Sequence, residues 1–167
     1  MGFFSELKKS VSALTDTLTT ELKKYHNRDV LDGAMAACAL IAAADGVVSV
    51  EERRKMTAFV KTSPVVSVFG TEAALKEFTS YVDRIEVDYD MGRAEALRVI
   101  GKLRARPEEA KLVVRTAIIV GKADGDFDSD EKNAVRDIIK ELGIDPTEFD
   151  FEEESRPRIK IGANKAR

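Results

Sequence analysis

The chain has 167 residues, of which 44% are hydrophobic and 34% charged, with a formal net charge of −3 at neutral pH. That length suits one domain with a real core, and the charge offers no electrostatic footprint for nucleic acid. A single cysteine excludes an internal disulfide framework and points to a reducing compartment. No run approaches about 20 apolar residues, so no membrane span is expected. The opening M-G-F-F-S-E-L-K-K lacks the basic-then-apolar order of a secretory signal.

In chain order, residues 3–25 carry Phe4, Leu7, Val11, Leu14, Leu18, Leu22 and Tyr25 at steps of three and four, which predicts one amphipathic helix. A second helix is predicted over 29–44, small-residue-rich, with Val30, Ala34, Ala37, Cys38, Ile41 and Ala44 inward. Ser49 opens a third, because Ser49-Val50-Glu51-Glu52 spells a capping box. It carries Met56, Phe59 and Val60 and ends before Ser63-Pro64, after which a loop is expected. Thr71 is expected to cap a fourth helix with Leu75, Phe78, Val82 and Ile85 inward. The acidic stretch 83–90 spans a break, and a fifth helix follows over 91–105. Pro107 suits the first turn of a sixth, running to about residue 123. Asp128, with Glu131 three residues on, caps a seventh; Gly143 stops it, and Asp145-Pro146 starts a last short turn. No alternating strand pattern competes. The expected fold is all-α, a single-domain bundle of about seven helices over residues 1–151. Residues 152–167, acidic and then basic, read as a flexible charged tail.

The helices contain a repeat. Residues 44–52 read A-D-G-V-V-S-V-E-E and residues 123–131 read A-D-G-D-F-D-S-D-E, with Asp45 and Asp124 lying 79 positions apart. In the same register Gly46 matches Gly125, Ser49 matches Asp128, Glu51 matches Asp130 and Glu52 matches Glu131. Flanking apolar positions match too, such as Leu40 with Ile119 and Phe59 with Ile138. This is one helix–loop–helix unit used twice.

Each loop places an aspartate at a helix C-terminus, where unpaired carbonyls already carry negative charge. The glycine that follows permits the left-handed turn. The second loop adds Asp126 and Asp128. Crowded carboxylates repel one another, and a hard divalent cation with oxygen ligands relieves that repulsion. Ca²⁺, with its looser geometry, is favoured over Mg²⁺; zinc is disfavoured without His or Cys nearby. Asp45, Glu51, Asp124 and Asp130 are the primary candidate ligands. Asp126 and Asp128 assist in the second loop, and Glu52 and Glu131 either cap or ligate. An EF-hand is excluded, because its sixth position would be Ser129 and its twelfth Val135. The same residues also suit ordinary corner chemistry, an Asp-Gly turn followed by an N-cap and acids in a first turn.

These stretches resemble the TerB family of tellurite-resistance proteins. The resemblance covers residues 3–151 and is carried by C-A-L-I-A-A-A-D-G-V-V-S-V-E-E-R-R-K-M from Cys38 and A-I-I-V-G-K-A-D-G-D-F-D-S-D-E-K-N-A-V-R from Ala117. It implies an all-helical domain with the acidic residues of both repeats near one another, divalent-cation binding and a cytoplasmic location. It also implies action beside the membrane protein TerC and other tellurite-resistance proteins, at the inner face of the membrane. The first loop has Val47 where the second has Asp126, so the two copies differ in charge. The tail lies outside the resemblance.

Two further readings compete with a cation-binding, non-enzymatic interaction module. One is a metal-independent scaffold whose acidic surface binds a basic partner. The other is a metal-dependent hydrolase or tellurite-transforming enzyme, for which no nucleophile, general base or phosphate-binding glycine loop is present. Cys38 is expected to be a buried inert thiol and His26 a helix-boundary residue. Lys8 and Lys9 beside Phe3 and Phe4 give the first helix a weak membrane-surface character, diluted by Glu6, Asp16 and Glu21. Asp83, Glu86, Asp88 and Asp90 are expected to form a solvated turn.

Overall fold

A computed structural model describes residues 2–123 and 127–149, with side chains from residue 12 onward. Among the described residues there are eight α-helices, one closing 3-10 turn and no strand. The helices are α1 (Gly2–Tyr25), α2 (Arg28–Ala42), α3 (Val50–Thr62), α4 (Pro64–Ser67), α5 (Thr71–Val87), α6 (Tyr89–Gly101), α7 (Pro107–Lys122) and α8 (Ser129–Leu142), and the turn is Pro146–Glu148.

The all-α class and most helix limits agree with the sequence, and the differences have local causes. The loop after Ser63-Pro64 contains a single helical turn, α4, started by Pro64 at its first position, and four residues are too few to show a period. Thr71 is the first residue of α5 and not its cap; Gly70 precedes it at φ +87, with no side-chain cap. The break in the acidic stretch narrows to Asp88, whose Oδ1 accepts from the Met91 amide at 2.9 Å and starts α6 early. Asp83 and Glu86 are not a bare solvated turn: Arg53 of α3 holds each at 2.7 Å.

The second helix departs most from its expected one-sided burial. Twelve of the fifteen residues of α2 are buried, around its whole circumference. A helix that is apolar all round belongs at the centre, and α2 packs against α5, α6 and α7, with α3 and α8 at its flanks. Its run of alanines lets these neighbours approach. The thiol of Cys38 is fully buried there, and desolvation pushes it up to about 12. In α1, Leu18 and Leu22 enter the core while Leu14 and Tyr25 stay largely exposed; Phe4, Leu7 and Val11 lie outside the described side chains.

α2 and α7, the equivalent helices of the two repeats, lie side by side and parallel. At their N-termini Asn27 donates to Glu109 at 2.8 Å, and Arg106 reaches Asp29 at 2.6 Å. Midway, Gly33 leaves room for Val113 and Leu103; a Cβ there would come within 3.3 Å and 3.0 Å of their methyl carbons. At their C-termini Ile41, Ala42, Val120 and Ala123 line one cavity. The 79-residue offset therefore survives as spatial register, and both acidic corners fall at the same end of the molecule. α5 and α6 form a close hairpin beside this pair: Gly92 lies so near Ile85 that a Cβ would meet its backbone at 2.6 Å.

Candidate functional site

The first corner begins where α2 ends at Ala42. The Gly46 amide returns to the Ala43 carbonyl at 2.9 Å, and Gly46 adopts φ +91, the left-handed conformation that closes the helix. Asp45 Oδ1 accepts from the Val47 amide at 3.1 Å, an Asx turn. Ser49 and Glu52 complete the expected capping box: Ser49 Oγ accepts from the Glu52 amide and Glu52 Oε2 from the Ser49 amide, both at 3.1 Å. Val47 and Val50 stand exposed on this corner, 66% and 77% accessible.

Asp124 and Asp126, two of the expected ligands, lie outside the described residues. The rest of the second corner repeats the first. Asp128 Oδ1 accepts from the Glu131 amide at 2.8 Å, and Glu131 Oε2 from the Asp128 amide at 3.0 Å. Phe127 folds back over Gly121, where a Cβ would clash with its ring at 2.3 Å, and Lys132 sits 5.7 Å from the centre of that ring. Sequence reasoning passed over Phe127 and Lys132. The signal for the first was its register with Val48, since both pack at the edge of the core.

The two corners open on one space. A cavity of about 490 Å³ is bounded by the C-terminal residues of α2 and α7, by one face of α3 and by the start of α8. Glu52 of the first corner and Asp128 and Glu131 of the second line it together, over a floor that includes Ile41, Met56, Phe59 and Val120. Asp130 faces a smaller recess of about 60 Å³ with Ala43 and Ala44, just past α2, beside the Arg93–Asp137 ion pair at 2.7 Å. Glu51 lies outside both, on the solvent side of α3, 3.7 Å from Lys55. Of the six candidate ligands among the described residues, Glu52, Asp128 and Glu131 share the cavity, Asp130 faces the adjoining recess, and Asp45 and Glu51 line neither.

Acidic side chains outnumber basic ones along the cavity, with Glu52, Asp128 and Glu131 against Lys55. Two helix C-termini point to this end, each carrying about half a negative charge; α2 has no basic residue in its last turn, and α7 has Lys122. The N-termini of α3 and α8 also start here, but their first turns hold Glu51, Glu52, Asp130 and Glu131, which offset those positive ends. The donor set is entirely oxygen, as a hard cation requires. Among the described residues no three His, Cys, Asp or Glu side chains are gathered tightly enough to hold an ion.

The family model for Tellurite resistance protein TerB matches residues 31–152, a span that contains both corners. The chain belongs to the TerB family. The "Tellurium resistance protein TerB" of Alcaligenes sp is 33% identical over 118 residues, covering 71% of this chain and 97% of the relative. No solved structure gives a significant match. The TerB match takes in α2 through α8 with the final turn and leaves out α1 and the charged tail. Cys38 is buried, and His26 is exposed just past the end of α1, its Nδ1 2.9 Å from the Lys23 carbonyl.

Proposed function

We propose that this TerB-family chain serves tellurite resistance as a divalent-cation-binding, non-enzymatic interaction module. The observation that carries the reading is the convergence of both corners on one negatively polarised cavity. Ca²⁺, favoured over Mg²⁺ by its tolerance of irregular oxygen shells, would be held by carboxylates from both repeats. Glu52, Asp128 and Glu131, which share the cavity, would be joined around it by Asp45, Asp124 and Asp126, with Glu51 and Asp130 at the periphery. The ion would supply fixed positive charge between two helical corners, and so set their relative position. The exposed Val47 and Val50 beside the carboxylates support a docking role. The expected partner is a TerC-like integral membrane protein or another tellurite-resistance protein, met on the cytoplasmic side. Among the described residues no helix is long and apolar enough to cross a membrane, so this contact would be peripheral.

A specific observation favours a second reading, the metal-independent acidic scaffold. Asp45, Glu52 and Glu131 each commit a carboxylate oxygen to a backbone amide of their own corner, which lowers the number left for an ion. Thermal unfolding with and without Ca²⁺ separates the two. One-site linkage predicts about 2.7 kcal/mol of added stability at 100 times the dissociation constant. Asp45→Asn combined with Asp124→Asn should abolish that gain. On the scaffold reading chelator changes nothing, and only salt weakens partner binding.

A further inference from the structure

The shared cavity is also a groove. Along α3 the residues Glu52, Lys55, Met56, Phe59 and Thr62 recur at helical spacing and face it, opposite Val120 and Ala123. Met56 and Phe59 are half-buried there with no helix laid over them among the described residues. A groove with an apolar floor and a mainly acidic rim fits an occupant that alternates apolar and basic side chains.

The chain itself carries such a segment. Residues 156–161 read R-P-R-I-K-I, so Ile159 and Ile161 alternate with Arg158 and Lys160, and residues 156–167 contain five basic residues and no acid. The point of departure is close. Phe149, the last described residue, is packed in a recess lined by Leu14, Leu18, Ile118 and Lys122. Lys122 lines that recess and Ala123, the next residue, lines the groove. Only the width of one helix, about 10 Å, separates the two. The nine residues from 150 to 158 span up to about 30 Å when extended, ample to cross α7. Tethering at that range gives an effective concentration on the order of millimolar, enough to offset a weak contact. We propose that residues 156–161 dock in this groove, their basic groups against Glu52, Asp128 and Glu131 and their isoleucines over Met56 and Phe59. The contact itself needs no metal and stands apart from the cation reading.

A nitroxide attached to Gly162→Cys in the full chain tests this, since Cys38 is fully buried and leaves the introduced thiol as the site of labelling. Amide spectra are taken with chelator present, so the result does not depend on cation binding. The expected result is signal loss at Met56, Phe59 and Ala123 and none at Arg98 and Lys102 at the C-terminal end of α6. Arg158→Glu with Lys160→Glu should restore the lost signals, as should high salt. Equal intensities at the groove and at α6 would overturn the proposal. So would loss that persists in the charge-reversed tail. Loss seen only when labelled protein is mixed with separate isotopically enriched copies would assign the groove to a second chain and overturn it equally.

Discussion

Asn27 donates to Glu109 across 2.8 Å, joining the cap of α2 to the first turn of α7. The return contact runs from Arg106, the residue preceding α7, which holds Asp29 at 2.6 Å and Glu109 at 2.8 Å. This pair of reciprocal bonds sets the two repeats in parallel at the end opposite the acidic corners. Two roughly equal helices started in register finish in register. The convergence of the carboxylates therefore depends on contacts about four helical turns away.

Glu109 is the hinge of that arrangement, with a side chain only 14% exposed. Glu109→Ala removes the partner that Arg106 and Asn27 share, leaves Arg106 its bond to Asp29, and should cost about 0.5–1.5 kcal/mol. Glu108→Ala, one position away and exposed, should change stability by less than about 0.5 kcal/mol. Urea midpoints of the two variants make the comparison.

Asp128 has two roles that substitution can separate. Asp128→Ser keeps an N-cap oxygen, as Ser49 does in the first repeat, and should leave cation-free stability within about 0.5 kcal/mol. Asp128→Ala removes the cap and should cost about 0.5–2 kcal/mol. On the cation reading both variants lose part of the Ca²⁺-dependent gain. Thermal melts with Ca²⁺ and with chelator give the four values needed.

Two glycines should respond to alanine differently. Gly46 has φ +91 with nothing within 4 Å, so Gly46→Ala meets backbone strain alone, about 1 kcal/mol. Gly92→Ala drives a methyl to 2.6 Å from the Ile85 backbone and must part α5 from α6, costing about 1–3 kcal/mol or more. A larger loss at Gly46, measured by denaturant unfolding, would contradict this packing.

Alkaline pH should weaken the fold through two buried groups. Desolvation lifts Cys38 from 9.0 to about 12. Desolvation, followed by the charges of Asp32 and Glu77, lifts Tyr81 from 10.0 to about 12. The unfolded chain releases these protons first, so stability is complete below about pH 9 and declines as pH rises toward about 12. Cys38→Ala with Tyr81→Phe should flatten that decline. For the same reason a thiol reagent at pH 8 should label Cys38 only after unfolding.

Local chemistry was readable from the residues; its arrangement was not. S-x-x-E and D-x-x-E spelled two capping boxes, Pro107 and Gly143 marked helix ends, and the 79-residue register mapped α2 with α3 onto α7 with α8. Each of these depends on bonds within a few residues. The central place of α2 was missed because the helical period of its apolar positions suggested one inward face, and burial all round reflects neighbours from distant parts of the chain. The shared cavity was anticipated only through the resemblance. Parallel packing of α2 on α7 rests on Asn27, Asp29, Arg106 and Glu109, none of which differs in kind from an ordinary surface residue. The split among the acids, with Glu51 turned to solvent and Asp130 into a separate recess, follows from the roll of α3 and α8 about their axes, which spacing alone does not specify.

If both corners answer to one cation, a Ca²⁺ titration followed by backbone amide shifts should register it at both. Saturable shifts are expected over residues 45–52 and 124–131, sharing a single midpoint and vanishing in the Asp45→Asn, Asp124→Asn double variant. Shifts confined to one corner, or weak unsaturable drift spread over exposed carboxylates such as Glu72 and Glu108, would contradict it.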